Sequence, residues 1–273
     1  MNVPMHWIRP IAFITLSMGA TLVCGQTPAN DPHWELLWSD DFSSFDNSRW
    51  IKANYGDHSG EPQLFLAERV SITSEGELKL TLDPYPHTCP TNPPQHGGTA
   101  MGRCVDGMIY PLTAGWVETT QAYNMSFGYF EARIKMPKHA YYFAPSGAFW
   151  YQTWPAFWTY QGQGVTAVTQ AQEIDVFEAL GVSMASNIVG TNRWLSYDNG
   201  IQAPMDVELS DYADTYHLFG CQWDDSKIIW YFDGMPVRVM PAHGVVDLGR
   251  IILGMGVQPN GDLEIEGGDS WAE

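Results

Sequence analysis

Short runs rich in Val, Ile, Thr and aromatic residues recur along the chain: RVSIT at 69–73, ELKLTL at 77–82, GYFEARIKM at 128–136, SKIIWYFDG at 226–234 and RIILGMGV at 250–257. Clusters of Gly, Pro, Asp, Asn and Ser separate them, and few stretches keep a 3.6-residue apolar repeat for three turns. Many short strands punctuated by turn signals predict an all-β sandwich or barrel. SEGE at 74–77, and the Asp-Gly pair inside YFDGMPVR at 231–238, predict tight hairpins. AFWYQTWPAFWTY at 148–160 reads as a strand with Trp150, Trp154 and Trp158 on one face, although that spacing also suits a helix. Pro155 within it predicts an edge or a bulge.

One stretch departs from simple alternation. QEIDVFEAL at 172–180 carries Glu173, Asp175 and Glu178 among apolar neighbours. On a helix the acids would spread over a bland solvated face. On a strand Glu173 and Asp175 share a face, but Glu178, five positions from Glu173, falls on the other. One inserted residue, a β-bulge, returns it to the face of the other two. Two glutamates would then share a cleft with an aspartate between them. Paired carboxylates about 5–5.5 Å apart are the arrangement used for retaining glycoside hydrolysis, one as nucleophile and one as proton donor. Repulsion between the acids raises the pKa of the donor, so the crowding serves the chemistry.

Composition narrows the picture. Of 273 residues 45% are hydrophobic, and no Ser/Gly/Pro-rich linker divides them, which favours one large domain. Twelve Trp residues supply flat apolar faces of the kind on which sugar rings stack, with Trp116, Trp154, Trp158, Trp194 and Trp223 as candidates. The competing role for each is packing. The formal net charge of −18 argues against nucleic acid and anionic membranes, and favours a neutral substrate. Residues 1–25 read as an export leader: His6 and Arg9 precede an apolar run from Ile11 to Val23, with Val23-Cys24-Gly25 at the cleavage position. Lipid anchoring at Cys24 is disfavoured by the bulky Val23. Secretion makes Cys89 and Cys104, which flank a polar loop, a candidate disulfide. Cys221, in HLFGCQW, reads as a buried free thiol, and no zinc-ligand spacing is present.

The chain resembles family 16 of the glycoside hydrolases, of the laminarinase and agarase type, over about residues 34–260. EIDVFE matches the family's E-x-D-x-x-E motif in its bulged form, and AGWVETT, FGYFEARIKMP, WPAFW and YHLFGCQWDDSKIIWYFDG follow in the family's order. The resemblance implies a β-jelly-roll sandwich with a cleft across its concave sheet, spanning 26–273 as one catalytic domain. It implies Glu173 as nucleophile, Asp175 as assisting acid and Glu178 as general acid/base. It also implies Trp154, Trp158, Trp223 and Glu61 at or near the cleft.

The departures from the family concern substrate. Ala179 stands where many laminarinases carry His, SGEPQLF at 59–65 replaces N-N-E-L-Q-Y-Y, and Arg193 stands where His is common. The last family strand, V-D-Y-V-R-V-Y, has no counterpart before GGDSWAE. The resulting expectation is a secreted, monomeric retaining endo-β-glycanase acting on β-1,3-glucan or mixed β-glucan, without cofactor. Calcium at a loop away from the cleft, as in some relatives, is compatible with the resemblance, although no loop demands it. An agarase-type galactan hydrolase and a non-catalytic sugar-binding jelly roll are the alternatives.

Overall fold

The structure, a computed structural model, describes residues 6–10, 27–58, 61–94, 101–137, 141–143, 150–161, 172–180, 183–190, 193–194, 203–204, 215–242 and 249–259. Two sheets stack face to face. The first has six strands in the order Glu35–Asp40, His6–Pro10, Gly128–Lys135, Tyr216–Trp223, Lys227–Phe232 and Met235–Pro241. The second has nine strands. Its spine runs from Arg193–Trp194 through Ser183–Gly190, the acid strand Gln172–Leu180, the tryptophan strand Trp150–Gln161, Arg250–Pro259 and Trp116–Thr119 to Trp50–Lys52. Of the sandwich or barrel that the strand pattern predicts, the sandwich, which the family resemblance also implies, is the fold observed.

The core between the sheets explains why these strands form. Phe130, Phe219, Cys221, Trp223, Ile228 and Trp230 of the first sheet meet Phe157, Ile174, Val176, Phe177, Ala179 and Ile251 of the second. Edge-on aromatic pairs join the layers, with Phe130 5.6 Å from Phe157; Phe177 lies 4.6 Å from Phe219 in a tilted pair. Each such pair adds about 0.5–1.5 kcal/mol beyond the area it buries. The predicted hairpins are present. Lys227–Phe232 and Met235–Pro241 join through Asp233 (φ 47°) and Gly234 (φ 81°), the two left-handed positions that a tight primed turn requires.

A smaller five-stranded sheet, including Gly56–Asp57, Gln63–Phe65 and Leu112–Ala114, lies over one end of the second sheet. Phe65, Ala53 and Ala114 pack there on Trp116, Trp158 and Ile252, on the face turned away from the main core. The Cys89–Cys104 disulfide forms on the other face of this small sheet, in a cluster with Leu64, Leu66 and Tyr110. Tyr110 donates a 2.7 Å hydrogen bond from its hydroxyl to Asp57, which ties this cluster to the Gly56–Asp57 strand. Cys221 is a buried free thiol, and burial pushes its pKa up.

His6–Pro10, which falls within the expected leader, pairs parallel to both Glu35–Asp40 and Gly128–Lys135. Removal of residues 1–25 would take this strand away and leave those two backbones unpaired on the facing sides.

Candidate active site

The acid strand breaks its alternation at one residue. Its ladder to the tryptophan strand pairs Asp175 with Trp158 and Phe177 with Phe157, leaving Val176 as an extra residue, and the register to Ser183–Gly190 shifts at the same place. Ile174, Val176, Phe177 and Ala179 all enter the inter-sheet core. Two consecutive inward residues, Val176 and Phe177, are the signature of a bulge. Glu173, Asp175 and Glu178 are thereby left on the opposite, concave face. The core holds this distortion: Trp230, fully buried on the other sheet, donates its Nε1–H to the Asp175 carbonyl at 2.8 Å. Leaving that carbonyl unpaired would cost about 1–3 kcal/mol. Pro155 is also accommodated. The ladder to the acid strand stops at Ala156, so the missing N–H falls just beyond it.

The carboxylates differ in their surroundings. Glu173 and Glu178 keep part of their surface open, whereas Asp175 is buried. Burial, and then the charge of Glu178, push the Glu173 pKa well up; the charge of His58 and a hydrogen bond with Asp175 pull it back. Burial, with repulsion added to it, favours one proton shared between the two glutamates. Glu178 Oε1 accepts a 3.1 Å hydrogen bond from Trp154 Nε1. Trp154 therefore orients an acid, beyond offering a flat face. Tyr160, directly across from Glu173, has its hydroxyl pKa raised by burial and then by the Glu173 charge.

The predicted tryptophans divide. Trp154, Trp158 and Trp116 lie on the concave side of the second sheet, but Trp158 and Trp116 are only 6% and 4% exposed. They meet edge to face at 5.4 Å beneath the small sheet and form a wall of the cleft. Gly254 makes room for this wall, since a Cβ there would sit 2.9 Å from a Trp116 ring carbon. Trp223 is a correction. It is 1% exposed, stands on the other sheet in the inter-sheet core and packs against Phe127 at 4.8 Å, so it has no face to offer a sugar. Trp194 pairs with Val189, but its side chain lies outside the described residues. Glu61 is tied into the protein: Oε1 lies 2.6 Å from His58 Nδ1 and Oε2 accepts from Gln63 Nε2. Gln63 Oε1 in turn accepts from the Val257 N–H at 3.3 Å.

Three residues that sequence reasoning passed over belong to this neighbourhood: His58, Tyr160 and Trp230. For His58 the only local signal was its spacing of three from Glu61. Among the described residues, no group of three or more His, Cys, Asp or Glu side chains is placed to hold a metal ion. Also among them, no helix is long and apolar enough to cross a membrane.

Residues 64–249 match the family model of glycosyl hydrolases family 16. The endo-1,3-1,4-beta-glycanase EglC of Rhizobium meliloti is 32% identical over 248 residues, covering 81% of this chain and 48% of its own. The kappa-carrageenase of Pseudoalteromonas carrageenovora is 29% identical over 255 residues, covering 83% of this chain and 57% of its own. This chain thus spans about half the length of these relatives. Among solved structures, the Bacillus licheniformis beta-glucanase superposes with a TM-score of 0.56 at 21% identity, covering 81% of this chain and 84% of that one. That likeness shows the fold.

Proposed function

The chain belongs to glycosyl hydrolase family 16, and from that premise we propose that it is a retaining endo-β-glycanase that cuts a polysaccharide by double displacement. The observation that carries this reading is the bulge at Val176, which puts Glu173, Asp175 and Glu178 on one concave face. In the first step a Glu173 oxygen bonds to the anomeric carbon as the glycosidic C–O bond breaks, and the Glu178 proton passes to the leaving oxygen. In the second, Glu178 takes a proton from water, the water oxygen bonds to the same carbon, and Glu173 leaves as carboxylate. Asp175 hydrogen-bonds Glu173 and favours its anion.

The substrate we propose is a β-1,3- or mixed-linkage β-glucan, in keeping with the similarity to the Rhizobium glycanase and with a net charge of −18, which disfavours sulfated polymers. The similarity to a kappa-carrageenase supports a galactan as the second reading. Secretion fits the leader pattern of residues 1–25 and the Cys89–Cys104 disulfide, a bond kept in oxidising compartments.

Release of reducing ends from laminarin, lichenan, agarose and kappa-carrageenan tests this. The expected result is release from laminarin, lichenan or both. Release from a galactan alone would replace the substrate and keep the chemistry. Binding to a polymer with no release from any would favour a non-catalytic module.

A further inference from the structure

The small sheet brings a histidine to the edge of the acid strand. His58 follows directly on Gly56–Asp57, and its ring lies 5.5 Å from Trp116 and 5.9 Å from Trp158. Trp158 pairs across the ladder with Asp175, and Tyr160, two residues on, pairs with Glu173. The imidazole is therefore lodged in the tryptophan wall beside the acid strand. Its seat is built: Nδ1 is held by Glu61, Glu61 by Gln63, and Gln63 by the Val257 backbone. Gly256 lies under this chain, where a Cβ would come within 3.5 Å of Gln63 Nε2 and 3.6 Å of Glu61 Oε2. A carboxylate on Nδ1 fixes the orientation of the ring and favours its protonated form.

We propose that His58 is a positioning residue for the reaction, supplying from the small sheet the positive charge that acts on the Glu173 carboxylate and favours the anion that attacks the sugar. This rests on Glu173 being the nucleophile. Burial opposes the charge on His58, but the hydrogen bond and charge of Glu61, followed by the charges of Glu173 and Asp57, outweigh it and raise the His58 pKa. Of the other groups nearby, Asp175 hydrogen-bonds Glu173 and lowers its pKa in the same sense as His58. Tyr160 is neutral at working pH, and Glu118 on the neighbouring strand is paired with Arg250 at 2.5 Å. Glu178, whenever it is ionised, acts on Glu173 in the opposite sense to His58.

The sign follows from the charges. A nearby cation lowers a carboxyl pKa, so loss of His58 raises that of Glu173 and leaves less of the attacking anion at low pH. The test is the pH profile of kcat/KM for His58→Gln on a 2,4-dinitrophenyl β-oligoglucoside, whose leaving group needs no proton from Glu178. The acid limb should move up by about one pH unit. Activity should be about tenfold lower on that limb and approach the wild-type value towards high pH. Glu61→Gln, which weakens the hold on the imidazolium, should shift the limb in the same direction by less, and serves if the first variant does not fold. An unmoved limb, or an equal loss at every pH, would overturn the proposal, since a structural role lowers activity without moving a titration. Glu173→Ala run in parallel separates the two failures. If it is inactive and rescued by azide while the limb stays put, only the His58 inference falls; if it keeps full activity, the nucleophile assignment falls and the His58 inference with it.

Discussion

Glu173→Ala is expected to lower kcat on glucan by roughly 10⁴-fold or more, the scale seen when a covalent nucleophile is removed. The loss should not come from misfolding, because Glu173 lies on the concave face and the core contacts of its strand are made by Ile174, Val176, Phe177 and Ala179. Removing a carboxylate that burial and Glu178 both disfavour leaves the remaining acids less repelled. The vacated side chain also leaves room for a small anion. With an activated aryl β-oligoglucoside, azide should restore turnover and yield a glycosyl azide of α configuration, because azide enters from the side Glu173 occupied. Full residual activity without azide would show that another group attacks the sugar.

Glu178→Ala should divide substrates by their leaving groups. For a polysaccharide, whose leaving alkoxide needs a proton, kcat/KM should fall by about 10²–10⁴-fold, the range for loss of a positioned acid. For a 2,4-dinitrophenyl glycoside the first step needs no proton, so kcat/KM should change little. Its kcat should still fall, because water has lost its base and the glycosyl-enzyme accumulates, which also lowers KM. Azide should speed this variant too, but through a β-glycosyl azide formed from the covalent intermediate. Equal losses on both substrates would remove Glu178 from the acid role. The Trp154 indole that hydrogen-bonds Glu178 would be left without its protein acceptor in this variant, so thermal unfolding of both variants belongs beside the kinetics.

How legible this was depends on how far apart the partners lie in sequence. The bulge was legible because its signal is local: glutamates five apart, with apolar residues at Ile174, Val176 and Phe177, cannot satisfy strict alternation. The hairpin at Asp233-Gly234 was legible for the same reason. Trp223 was misread although the signal was at hand. It stands two residues from Cys221 and four from Phe219 in one strand, so a buried Cys221 already put Trp223 on the inner face. The resemblance of its surroundings to the family outweighed that alternation. Glu61 was found, but its work of holding His58 was not, because the partners of that histidine come from residues 61, 116, 158 and 173. The Trp230 hydrogen bond to Asp175 crosses 55 residues and two sheets, and nothing near either residue announces it.

What decides the reading most directly is the anomeric configuration of the first product. A proton NMR time course on freshly mixed enzyme and substrate, recorded before mutarotation, reports the reducing end as it is formed. Double displacement through Glu173 inverts the anomeric carbon twice, so the β anomer should appear first and the α anomer only as the sugar equilibrates. An α anomer formed first would mean a single displacement by water, and would contradict the account of Glu173 and Glu178 given above.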